Sequence, residues 1–155
     1  MHVKVDFPNM DAERLILKLS RKEAGLHGEA SVSDVHLSQG LIFQARQDAL
    51  NVHMAESVES YIVHLVNATR QPEAYGEDLA RWIEFGVSPR ATISLDRCSR
   101  AHAYMNGRGF VSPDDVQAVL HDVFRHRLIL SFEAEANGKT ADDIIDELQQ
   151  RVSIE

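Results

Sequence analysis

A single cysteine in 155 residues excludes an intramolecular disulfide and fits a reducing compartment. No apolar run reaches the roughly 20 residues that a bilayer-spanning helix needs. The opening segment, MHVKVDFPN, lacks the long apolar core of a signal peptide. An excess of positive charge is missing too: the formal charge is −8, which argues against broad attachment to nucleic acid or acidic lipid. The eight histidines come without an HExxH pair or paired-cysteine spacing, and His121 and His126 stand roughly 140° apart around a helix. The expectation is a soluble cytoplasmic protein that engages neither membrane nor nucleic acid, binds no metal, and uses its histidines structurally or at the surface.

What is present builds a core. Apolar residues make up 44% of the chain, and the length suits one domain or a compact piece of a larger protein. His2 to Phe7 alternates, with Val3, Val5 and Phe7 on one side, and Pro8 ends the pattern: a short strand that needs a sheet to join. The rest of the chain offers few strands, so the segment reads either as the start of something larger or as a frayed terminus.

From Asn9 onward the period is helical. Asn9 suits an N-cap for a helix with Ala12, Leu15, Ile16 and Leu19 on one face. Glycines, serines and acids then mix over about residues 24–37, a loop. Ser38 opens a second helix with Leu41, Ile42, Ala45 and Ala49 expected inward. A third begins near Glu56 and carries the cleanest stripe: Val58, Tyr61, Ile62, Leu65, Val66 and Thr69. Gln71 to Gly76 breaks it, and Leu79 to Phe85 fits a short helix or an extended segment, with Trp82 half buried. Ser88 and Pro89 start a fourth long helix, ended at Gly107, with Ala91, Leu95, Cys98, Ala101 and Met105 as its inward stripe. Ser112-Pro113-Asp114-Asp115 repeats that grammar close to a capping box, ahead of Val116, Val119, Leu120 and Val123. Leu128 to Phe132 is apolar and ambiguous. Thr140 with Asp143 caps a last helix whose core face is Ile144, Ile145, Leu148 and Val152. About six helices with short connections make a mainly α bundle.

Most polar clusters have plain explanations. Cys98 sits on an apolar stripe, where a thiol packs as a small hydrophobe. Arg125-His126-Arg127 closes a helix, where cations complement the negative end. Asp142, Asp143, Asp146 and Glu147 suit a solvent-facing helix start. Arg90 is different. It is the second residue of its helix, where the macrodipole disfavours a cation by a few tenths to about 1 kcal/mol. Asp96 is too far along to neutralise it as an i,i+4 partner. Free N–H groups of a helix start together with a guanidinium form an anion site; a side chain leaning into solvent is the plainer alternative.

The ordered set GVSPRA, GFVSPDDV and FRHRLILSFEAEANGKTADDIIDEL, with VESYIVHLVNATR and VKVDFP ahead of it, resembles the carboxy-terminal part of MoxR-type AAA+ ATPases over nearly the whole chain. The resemblance implies residues 1–8 as the last strand of the ATPase core and 9–155 as its helical lid. GxSPRA is the family's sensor-two motif, so Arg90 would reach the γ-phosphate of ATP held with Mg2+ in the core domain of the same chain. The family's lid also borders the adenine pocket, which makes Tyr61 and Ile62 candidate base contacts, although both fit the core stripe equally well. No GxxxxGK[ST] loop, no acidic Mg2+-binding motif and no arginine-finger segment occurs in these residues. The family would place them before Met1. The resemblance therefore implies a fragment that binds no nucleotide and hydrolyses no ATP by itself. It further implies a parent that works as a ring hexamer, assembling or activating protein complexes, often with partners bearing von Willebrand factor A domains. The rival classes are a stand-alone helical adaptor with Arg90 on an ordinary surface, and a helix-turn-helix DNA reader using Arg125 and Arg127. Asp114 and Asp115, at the start of the would-be recognition helix, count against the second.

Overall fold

The stripe from Val58 to Thr69 is buried along its whole length in the computed structural model of the chain, which describes residues 1–25 and 36–154. In chain order the elements are α1 (Met10–Gly25), α2 (Gln39–Leu50), α3 (Glu56–Ala68), a 3-10 turn (Pro72–Ala74), α4 (Glu77–Trp82), β1 (Ile83–Phe85), α5 (Pro89–Met105), α6 (Pro113–Phe124), β2 (Ile129–Leu130), α7 (Phe132–Ala136) and α8 (Ala141–Arg151). The protein is mainly α, as expected. The described helices outnumber the six expected because α4 and α7, of 6 and 5 residues, are too short to show a helical period. The ambiguous segment Leu79–Phe85 turns out to be both things in succession, helix to Trp82 and strand from Ile83. Residues 26–35, most of the expected loop, lie outside the described residues.

The described chain divides into two compact units, Met1–Val3 with Phe43–Glu155, and Lys4–Ile42. In the larger unit α5 packs along α6 and against α3, while α8 closes on α6 and α3. Val116, Leu120, Val123 and Phe124 of α6 meet Leu95 and Ala103 of α5 and Ile144, Ile145 and Leu148 of α8 in one apolar core. β1 and β2 pair antiparallel, with Ile83 opposite Leu130 and Phe85 opposite Ile129. Thr140 and Asp143 cap α8 reciprocally: the Asp143 N–H donates to Thr140 Oγ1 at 3.2 Å and the Thr140 N–H to Asp143 Oδ2 at 2.7 Å.

Three expectations need correction. Residues 2–7 form no strand; Val5 and Phe7 are exposed, because alternation builds a strand only where a ladder partner exists. Leu41 and Ile42 of α2 are exposed instead of inward, since a periodic stripe states which face is apolar and not what covers it. The buried line of α5 runs Ala91, Leu95, Ser99, Ala103; Cys98 packs against the core only partly buried, and Ala101 and Met105 lie off the line. Small residues at i+4 steps let α5 lie close to α6, and Ser99 is admitted because its hydroxyl donates to the Leu95 carbonyl at 2.7 Å. Met105 is 76% exposed.

In the smaller unit, Asn9 Oδ1 accepts from the Ala12 N–H at 2.9 Å, the expected cap of α1. Ser38 Oγ does the same for the Leu41 N–H at 3.2 Å. The apolar residues Leu15, Ile16 and Leu19 of α1 are more than half exposed.

Candidate functional site

α3 ends at Ala68, and its C-cap Thr69 is almost wholly buried. The Thr69 hydroxyl donates to the Val66 carbonyl at 2.7 Å and accepts from the Val87 N–H at 3.0 Å. The next residue, Arg70, donates from Nε to the Val87 carbonyl at 2.8 Å. This contact brings two backbones unusually close at Gly86. A Cβ there would sit 2.3 Å from the Thr69 carbonyl oxygen, so only glycine fits.

From that anchor the chain enters α5. Ser88 has the extended backbone of an N-cap, φ −78° and ψ 167°, but its side chain makes no capping bond. Pro89 occupies the first turn, as its fixed φ favours. Arg90 follows, exposed, with an ion-pair partner nowhere among the described residues. Asp96 is engaged elsewhere: it accepts from Arg100 Nε at 2.8 Å, an i,i+4 pair. Among the described residues, Arg90 is thus the unneutralised cation read from the sequence.

Between α3 and α5 lies a shallow groove of about 220 Å³, lined by Met54, Glu59, Ile62, Val63, Thr92 and Asp96. Ile62 forms part of its floor, although it is only 2% exposed. Tyr61 points into the core, and its hydroxyl accepts from Gln117 Nε2 at 3.2 Å. Both candidate base contacts thus belong to the buried stripe, and Ile62 alone also borders open space.

Two polar networks escaped the sequence reading. Asp115 is fully buried and ringed by donors: the Ser112 N–H at 2.8 Å, Arg108 Nη1 at 2.8 Å with a second contact from Nη2, and His102 Nδ1 at 2.6 Å. A carboxylate only accepts, so Nδ1 of His102 carries the proton. Burial pushes the Asp115 carboxyl up, but these donors outweigh it and hold the group below the usual range. The second network ties Arg151 to Asp78, Glu147 and the Tyr75 carbonyl. Both join residues far apart in the chain or hidden inside a cap, so only the capping-box spacing at Ser112 and Asp115 pointed toward either.

The acidic face of α8 is more than a solvated surface. Asp142 accepts from Arg125 Nε at 2.7 Å, and Asp146 lies 3.0 Å from His121 Nε2. Arg125, one of the basic cluster, also reaches Asp122 and the His2 carbonyl, while Arg127 donates to the Val123 carbonyl near the end of α6. Cys98 is half buried, and burial pushes its thiol up, against a role as nucleophile. Among the described residues no group of three His, Cys, Asp or Glu side chains could hold a metal ion, and no helix is long and apolar enough to cross a membrane.

This architecture has a counterpart in known proteins. Residues 78–148 match the AAA lid domain family. The chain is 36% identical to Chaperone MoxR1 of Mycobacterium tuberculosis, over 76% of this chain and 32% of that protein. It is 30% identical to the uncharacterized protein YeaC of Bacillus subtilis (98% and 44%) and 32% identical to Protein MoxR of Paracoccus denitrificans (84% and 41%). The crystal structure of a provisionally assigned ATPase from Cytophaga hutchinsonii superposes with a TM-score of 0.88 at 34% identity, covering 97% of this chain and 45% of that one. The chain thus carries an AAA lid domain. More particularly, it belongs with the MoxR-type AAA+ ATPases, and it spans less than half the length of these relatives.

Proposed function

We propose that this lid supplies Arg90 as the sensor-two arginine of a nucleotide-responsive ATPase, reaching the γ-phosphate of ATP bound with Mg2+ in the core domain of the same polypeptide. The observation that carries the reading is the exposed guanidinium at the second position of α5, unpaired among the described residues. Such a group costs stability at the positive end of a helix unless an anion arrives, and phosphate oxygens suit its forked donors. Preplaced there, it would stabilise charge on the transferring phosphoryl group. Departure of that phosphate would free the lid to rotate, a hinge change passed to neighbouring subunits of a hexamer. Ile62, at the groove between α3 and α5, is the side chain we assign to the adenine, with Tyr61 supporting it from the core.

Residues 1–8, which form no strand here, would join the core sheet as its last strand once a core supplies the neighbouring strand, with 9–155 as the lid. Since no phosphate-binding loop occurs in these residues, the chain contributes the lid's share of the chemistry, and hydrolysis belongs to the whole protein. The setting we propose is the cytoplasm. The task is chaperone-like assembly of protein complexes, partnered by proteins with von Willebrand factor A domains. The test is turnover in the full-length ATPase: Arg90→Ala is expected to lower kcat at least tenfold while the lid's melting temperature stays within a degree or two. Wild-type turnover would reject the assignment.

A further inference from the structure

We propose that Thr69 and Arg70 are positioning residues for Arg90, together clamping the backbone of Val87 and thereby setting where α5 begins. The catalytic half of this rests on Arg90 being the residue that meets nucleotide; the structural half does not.

Val87 stands three residues ahead of Arg90, and both of its backbone groups are taken by the end of α3. Its N–H donates to Thr69 Oγ1 at 3.0 Å and its carbonyl accepts from Arg70 Nε at 2.8 Å. Among the described residues, no other hydrogen bond joins Gly86–Pro89 to another element. The N-cap side chain adds nothing, since Ser88 makes no capping bond. The start of α5 is therefore held by the clamp, by the burial of the Val87 side chain and by the close approach at Gly86, whose missing Cβ leaves room for the Thr69 carbonyl.

The chemistry is specific. The Thr69 hydroxyl donates to Val66 and accepts from Val87 at once. Valine has the same shape and can do neither; serine can do both. Arg70 uses the N–H nearest its stem, which lysine and glutamine lack. Releasing Val87 lets the first turn of α5 shift, and a displacement of about 1 Å in a positioning element is enough to cost about a hundredfold in a catalytic rate.

Two measurements decide it. In this 155-residue chain, followed by NMR, Thr69→Val should speed amide exchange of Val87 at least tenfold and move the Arg90 side-chain Nε–Hε and Ala91 amide signals. Ile145 and Leu148 should keep their protection, and Thr69→Ser should restore the wild-type pattern. Arg70→Gln, at the surface, gives the same readout if Thr69→Val fails to fold. Unmoved Arg90 and Ala91 signals would overturn the proposal. In the full-length ATPase, Thr69→Val and Arg90→Ala should each lower kcat, with the double variant no slower than Arg90→Ala alone. Additive losses would equally overturn it. Should Arg90→Ala leave kcat intact, the sensor assignment fails and the clamp is judged by the exchange experiment alone.

Discussion

Arg151 holds Asp78 through two parallel hydrogen bonds, Nη1 to Oδ1 at 2.7 Å and Nη2 to Oδ2 at 2.6 Å, joining the end of α8 to the start of α4 across 73 residues of sequence. The same guanidinium donates to Glu147 at 2.7 Å and to the Tyr75 carbonyl at 3.2 Å. Gly76 makes room for it: its φ of +151° is strained for other residues, and a Cβ would stand 2.3 Å from Arg151 Nη1. Such forked, charge-assisted pairs are worth more than single surface bridges. Arg151→Gln is expected to lower unfolding stability by about 1–3 kcal/mol, read from the midpoint of urea unfolding at an unchanged slope.

The same pair gives a pH dependence. The Arg151 hydrogen bonds hold the Asp78 carboxyl well below the usual carboxylate range, outweighing burial. A carboxylate with a depressed folded pKa contributes stability that is full above its unfolded value, near 3.9, and lost as pH falls through the folded one. Thermal melts of the wild type should therefore weaken steadily below about pH 4. The Asp78→Asn variant should show a smaller drop over the same window.

Asp115 tests the core more severely. Its three donor groups, Ser112, His102 and Arg108, face a carboxylate with no solvent exposure. Asp115→Asn keeps the shape but trades one acceptor oxygen for an NH2 that must face a ring of donors, and leaving such buried polar groups unsatisfied costs about 1–3 kcal/mol. Equilibrium denaturation should show it, with His102→Gln losing clearly less because His102 is a third exposed.

The rotated stripe of α5 gives a clean contrast. Met105→Glu, at an exposed site, should change stability by no more than about 0.5 kcal/mol. Ala103→Leu, in the fully buried line against α6, should cost about 1–3 kcal/mol from overpacking. Urea unfolding of the two single variants separates these outcomes.

Local chemistry was legible and long-range pairing was not. The caps at Asn9, Ser38 and Thr140, and the stop at Gly107, are written within four residues of sequence and stand where expected. The stripes of α3, α6 and α8 could be read because strongly apolar residues recur at the helical period. On α5 the same rule favoured Cys98 and Met105 over Ser99, since hydropathy ignores a hydroxyl satisfied by its own helix. The faces of α1 and α2 could be located, but their burial depends on a covering surface that periodicity does not encode. Arg90 stood out because a cation at a helix start conflicts with a simple rule; its anchor at Thr69 and Arg70, 18 and 17 residues from Val87, left no comparable signal.

The most direct test is a crystal structure of the proposed whole ATPase, this lid joined to its core, with Mg2+ and a non-hydrolysable ATP analogue. An Arg90 Nη nitrogen is expected within about 3 Å of a γ-phosphate oxygen, the distance of a charge-assisted hydrogen bond. An Arg90 side chain turned toward solvent, with every γ-phosphate oxygen contacted by other groups, would contradict it.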